Sequence, residues 1–173
     1  MMTQSKHVPS ANEAHTASWS FFSFLSILET ATYLVQQVHP QAQLYEADGT
    51  PMHGQGRTAH DVNKWRFVFN DPSTRPNSTV ILFYEDGTYG HPLYIDQPWL
   101  EDRVIDLPLT MDLDHAVKLL REHYASAFSA VTLRYPLYPG VEHPSYIFTL
   151  IDPPIHVFID IGDHRVSSDS GKQ

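Results

Sequence analysis

The chain has no cysteine among its 173 residues, which excludes disulfides and thiolate metal centres. Basic residues are scarce: 11 Lys and Arg stand against 20 Asp and Glu, a formal net charge of −9. No Lys/Arg cluster offsets that charge, which disfavours a nucleic-acid backbone as partner, leaves no nucleic acid expected, and suits a basic partner. Long apolar runs are missing as well. The most apolar stretch, Ser20 to Leu28, is too short to span a bilayer. A signal peptide needs a basic start and a small-residue cleavage site, whereas only Lys6 and His7 precede this run and Glu29 interrupts it. It therefore reads as a buried helix, with no membrane as partner and a cytoplasmic location. Two catalytic signatures are absent too. No G-x-S-x-G elbow occurs, and Gly54 and Gly56 sit in a Gly/His-rich loop, Thr50 to Asp61, that lacks the Lys-Ser/Thr of a phosphate loop.

What is present is pattern. Hydrophobic residues make up 42% of the chain, enough for a packed core. The clearest unit runs from Thr110 to Ser167. Thr110 or Asp112 can cap a helix, because a side-chain oxygen there accepts from an unpaired backbone N–H. Leu113, Ala116, Val117, Leu120 and Tyr124 then recur at helical spacing, with Lys118, Arg121 and Glu122 on the wet side. Strands are predicted over Ala130–Tyr135, Ser145–Ile151 and Ile155–Ile161, punctuated by Pro136, Pro139-Gly140 and Pro153-Pro154.

An earlier stretch repeats this order. A helix over Phe21–Val38 carries the stripe Phe24, Leu28, Ala31, Val35 and Val38, and ends at His39-Pro40. A strand over Gln41–Ala47 leads to a turn at Asp48-Gly49. Asn63 to Pro72 matches His143 to Pro153 in aromatic alternation and in its closing Asp-Pro; Thr79–Gly87 matches Ile155–Asp163. On this alignment Phe67 overlays Phe148, and Phe83 overlays Ile159. Between the units, Leu93–Asp96 and Arg103–Leu107 read as short strands, with Trp99 as an anchor. The expected division is a polar, disordered tail at 1–17, a first helix-plus-sheet unit at 18–92, a connection at 93–109, a second unit at 110–167 and a short tail at 168–173. The fold class is α+β.

A helix followed by an antiparallel three-strand meander, present twice, resembles the PepSY-like and wider cystatin-like group. The similarity covers most of residues 18–167, and Val157-Phe158-Ile159-Asp160-Ile161-Gly162-Asp163 is closest to that family's final strand and turn. The resemblance implies a curled sheet wrapped on a helix, and binding or inhibition rather than catalysis. Such modules are commonly exported, and the missing export signal departs from that pattern.

The 11 histidines form no ligand set at metal-binding spacing. His115 and His123 are two helical turns apart, and His53 and His60 share a loop. His156 and Asp160 lie about 13 Å apart along an extended chain. No metal, cofactor or catalytic residue is assigned. The sheet is more informative. In the last strands Ile81 and Phe83, with Val157, Ile159 and Ile161, read as one face. Val80, Leu82 and Tyr84, with His156, Phe158 and Asp160, read as the other. A half-wet sheet alternates apolar with polar. This second face is also apolar, so it is expected to be covered by the other unit, a second copy of the chain or a protein partner. The leading function is a non-catalytic protein-binding module of inhibitor or immunity type. The alternative is a small-molecule pocket, possibly enzymatic in the manner of the NTF2-like group. A deep cavity lined by His, Asp or Glu favours the pocket.

Overall fold

Ser23 starts the first helix by accepting a hydrogen bond from the Ser26 N–H at 3.2 Å, and helix α1 runs Phe24–Val38. Its buried stripe is Phe24, Ile27, Leu28, Ala31 and Val35. Val38, assigned to that stripe from sequence, is exposed: it falls in the last residue of the helix, where the chain turns away at His39. The computed structural model describes residues 23–74, 77–99 and 103–169. The expected tail at 1–17, the helix start at Phe21 and the chain beyond 169 lie outside the described residues.

The strands that follow are β1 (Gln43–Pro51), β2 (Val62–Asp71), β3 (Ser78–Glu85), β4 (Thr88–Tyr89) and β5 (Leu93–Ile95). Helix α2 (Leu113–His123) precedes β6 (Phe128–Arg134), β7 (Ser145–Leu150), β8 (His156–Asp160) and β9 (Val166–Ser168). Among the described residues these make one antiparallel sheet in the order β4-β3-β2-β1-β6-β7-β8-β9, with β5 also on β3. The fold is therefore α+β, and the two meanders share a single sheet. The segment Arg103–Leu107, expected as a strand, is not one; Ile105 instead donates its N–H to the Leu44 carbonyl at 2.8 Å and buries its side chain.

The strand order is symmetric about the β1–β6 contact, where Ala47, Asp48 and Gly49 face Leu133, Thr132 and Val131. Counted outward from Asp48–Thr132, Phe67 and Phe148 occupy equivalent places. So do two bulges, at Tyr45 in β1 and at Ser129 in β6. Each bulge resets the alternation, so that Leu44 with Ala47, and Phe128 with Val131, all reach the core. Ile159, however, is equivalent to Tyr84, not to Phe83.

A further difference from expectation lies at Asp48-Gly49. This dipeptide reads as a turn, yet β1 passes straight through it to Pro51. The glycine is there for space. A Cβ on Gly49 would stand 2.7 Å from the Trp65 ring and from Val62, closer than carbon atoms approach.

Both helices cover one face. The Phe24 ring lies 4.3 Å from Trp65, 6.5 Å from Phe67 and 5.9 Å from Tyr146, so it touches both halves of the sheet. Tyr146 donates its hydroxyl to the Met111 carbonyl at 3.0 Å, just before α2. Asp112 then caps both helices with one oxygen: Oδ1 accepts from Leu113 N at 2.7 Å and from Leu25 N at 3.3 Å. Leu113, Ala116, Val117 and Leu120 of α2 are buried as predicted, and Arg121 and His123 occupy its last turn, where the helix dipole favours positive charge. Leu120 has no exposed surface, so Leu120→Ala is expected to destabilise the fold by about 2–5 kcal/mol. A denaturant melt of that variant checks this; an unshifted midpoint would mean the stripe is not packed.

Candidate functional site

The six residues expected to share one sheet face do not. Register sets Leu82 opposite Phe67 and Tyr84 opposite Trp65, on the helix side, where Val80, Leu82 and Tyr84 are buried. The same row continues through Ala47, Leu133 and Tyr146 to Ile159. His156, Phe158 and Asp160 alternate with Val157 and Ile159 and so point to the opposite side. The one-residue slip in matching β3 to β8 inverted three of the six side chains. The outward three have local roles. His156 Nδ1 pairs with Asp169 at 2.7 Å, Phe158 packs edge-on against Tyr138, and Asp160 accepts from the Gly162 and Asp163 N–H groups while meeting His143 at 3.2 Å.

The middle of that outer face is charged, a feature hidden in the sequence because Asp48-Gly49 carries turn chemistry. Arg66 bonds Glu46 at 2.7 Å and also bonds Asp48. Arg134 meets Glu46 at 3.2 Å, and Thr132 donates to Asp48 at 2.8 Å. The Arg66 guanidinium lies 5.8 Å from the centre of the Trp99 ring, so the expected anchor packs on this face. Two acids alternating along β1, opposite an arginine in each neighbouring strand, were the available signal. Glu46 is buried, and burial is the largest influence on it. With the charge of Asp48 and a shared hydrogen bond, burial raises the Glu46 carboxyl from its ordinary 4.5 to about 7, against the opposing pull of Arg134 and Arg66.

A cleft of about 750 Å3 opens on the helix side, at the end of the sheet where β2 begins and β3 ends. Its walls come from five places. The start of α1 gives Ser23, Phe24 and Ile27, and the start of α2 gives Leu113 and Asp114. Met52, Ala59 and His60 come from the chain between β1 and β2, Val62, Asn63 and Trp65 from β2, and Tyr84, Asp86, Gly87 and Thr88 from the β3–β4 hairpin. That hairpin turns on Asp86-Gly87, both at positive φ, the pairing that a two-residue turn demands. The Ala59–His60 wall is held by Asp61, whose Oδ2 accepts from the N–H groups of Arg57 at 2.7 Å and Thr58 at 2.8 Å. Burial works to raise the Asp61 carboxyl, but these hydrogen bonds bring it below the ordinary range. Arg121 of α2 ties the same loop down through the Arg57 carbonyl at 3.1 Å.

Two polar atoms in wall residues are buried without a hydrogen-bond partner: Trp65 Nε1 and Asn63 Oδ1. Leaving such an atom unpaired costs about 1–3 kcal/mol. Among the described residues the carboxylates of Asp86 and Asp114 have no ion-pair partner either, and no group of His, Asp and Glu could hold a metal. No helix among them is long and apolar enough to cross a membrane.

Glu46 yields a pH prediction. Its folded pKa lies above its unfolded value, so the folded state holds this proton more tightly between about pH 4.5 and 7. That contribution is present in acid and lost as the pH rises through 7. From pH 5 to pH 8 the native chain is expected to lose about 1–3 kcal/mol more stability than Glu46→Gln. Parallel melting profiles for the two proteins would contradict this.

No protein-family model matches the chain, and no curated protein matches it. Among solved structures, the fold is similar to that of a "putative lipoprotein" from Clostridium difficile 630, with a TM-score of 0.56 and 10% sequence identity. The similarity spans 82% of this chain and 92% of that one. At this identity the match concerns the fold alone.

Proposed function

We propose that the chain is a non-catalytic binding protein that takes a small, mainly apolar molecule in the cleft between the starts of its two helices. One observation carries the reading: a concave site of about 750 Å3, walled by Phe24, Trp65 and Tyr84. Ligand sites are commonly clefts of about 300–1,000 Å3, apolar in the main, with a few polar groups that orient the guest. The cleft is lined in part by His60, Asp86 and Asp114, the lining expected of a small-molecule pocket, while the hydroxyl of Ser23 is engaged as the cap of α1. The paired carboxylates of Glu46 and Asp48 lie on the other side of the sheet.

Kinship with the cystatin-like and PepSY-like group belongs to the same proposal. It is supported by the helix-then-meander order in both halves and by the bulges at equivalent places in β1 and β6. Docking of a protein or a second copy of the chain needs one contiguous apolar face, and the six residues expected to form it are divided between two sides of the sheet.

A fragment screen by NMR tests the proposal. Hits should shift the resonances of Phe24, Trp65 and Tyr84, and Ala59→Phe, which fills the cleft from its loop wall, should abolish those shifts while the protein stays folded. Hits that map elsewhere, or that survive Ala59→Phe, would overturn it.

A further inference from the structure

We infer that the molecule this cleft takes is an organic cation: a protonated amine or quaternary ammonium group on an aromatic or aliphatic body. The inference rests on the cleft being a binding site and adds the class of ligand. It starts from charge. The residues that line the cleft include Asp86, Asp114 and one imidazole, His60, and no Lys or Arg. Each acid is exposed, and neither is in an ion pair with the rest of the described chain. Asp86 is held in place by its turn, with its N–H bonded to the Asn63 carbonyl at 2.9 Å, while Asp114 sits in the first turn of α2. They thus reach the cleft from different elements, the hairpin and the helix.

The second observation is the aromatic wall. Phe24 and Trp65 lie with ring centres 4.3 Å apart, and Tyr84 lies 4.9 Å from Tyr89. A cation here meets two carboxylates, and its apolar body lies against a wall that includes Ile27, Val62 and Leu113. Trp65 is 2% exposed and its indole N–H has no partner, which makes that resonance a distinct reporter on this wall.

An anion is the rival, because helix N-termini attract negative charge and two of them border this cleft. Much of that capacity is already used. The Leu25 and Leu113 N–H groups are bonded to Asp112, the Ser26 N–H to Ser23 Oγ, and the Asp112 carboxylate itself stands between the helix ends. What remains at the cleft mouth is negative.

The test uses the full chain and three probes that share a phenylethyl body: 2-phenylethylamine as cation, 2-phenylethanol as neutral match and 3-phenylpropionate as anion. Affinities are read by calorimetry and by the Trp65 indole N–H resonance. The amine is expected to bind about 10-fold tighter than the alcohol, and the carboxylate weakest. Raising the salt concentration should shrink the amine's advantage, since the two acids are exposed to screening. The double variant Asp86→Asn with Asp114→Asn should bring the amine-to-alcohol ratio close to one. Asparagine is tolerated at the positive φ of position 86, and a melt of the variant checks that it folds. If the alcohol or the carboxylate binds as tightly as the amine at Trp65, the cation assignment is overturned while the cleft remains a binding site. If none of the three moves the Trp65 resonance and the fragment screen is also blank, the binding reading falls with it.

Discussion

Three residue pairs, Ala47–Leu133, Asp48–Thr132 and Gly49–Val131, join β1 to β6 and make one sheet of two meanders. Much else follows from that seam. It aligns a row of apolar side chains from Leu82 through Phe67, Ala47, Leu133 and Tyr146 to Ile159, so the two halves bury a common face under α1 and α2. It also includes Gly49, the residue without a side chain on which the Trp65 ring rests. Trp65 in turn supports Phe24 and lines the cleft. The Trp65 wall of the site therefore depends on close backbone packing at the centre of the sheet.

The opposite face shows why the seam was hard to foresee. Arg66 and Arg134, on the strands flanking β1, both bind Glu46, and Arg66 and Thr132 bind Asp48. A buried charge cluster of this kind is weak evidence of stability, because desolvation offsets much of the Coulomb attraction. Its effect here is geometric. Asp48 bonds to β2 and β6 simultaneously, which specifies register at the strand pair where a slip would turn every apolar residue outward. The raised Glu46 carboxyl is the sign of that burial.

Much of the fold was legible in the residues. The period of Leu113, Ala116, Val117 and Leu120 specified α2, and Asp112 marked its start. The alternation of Trp65, Phe67 and Phe69, and of Tyr146, Phe148 and Leu150, marked two core strands. Helical and strand periods are local, so they survive without knowledge of partners. The failures were positional. Asp48-Gly49 has turn chemistry, but Gly49 serves a tertiary contact with Trp65, which no local pattern announces. Val80 to Tyr84 is apolar at nearly every position, so alternation could not tell its two faces apart, and the slip followed. The cleft was the least visible element, since it joins residues from Ser23 to Asp114 whose proximity exists only once both helices converge on Asp112.

The central claim is that the β1–β6 seam makes both halves one cooperative body on which the cleft is built. Native-state hydrogen exchange measures this directly, because it reports the opening free energy of each amide. The account predicts that the slowest amides of β1, β2, β6 and β7 open together, with one shared free energy and one shared dependence on denaturant. If β2 and β7 instead opened in separate transitions of different free energy, each half would be stable alone, and the dependence of the site on the seam would be contradicted.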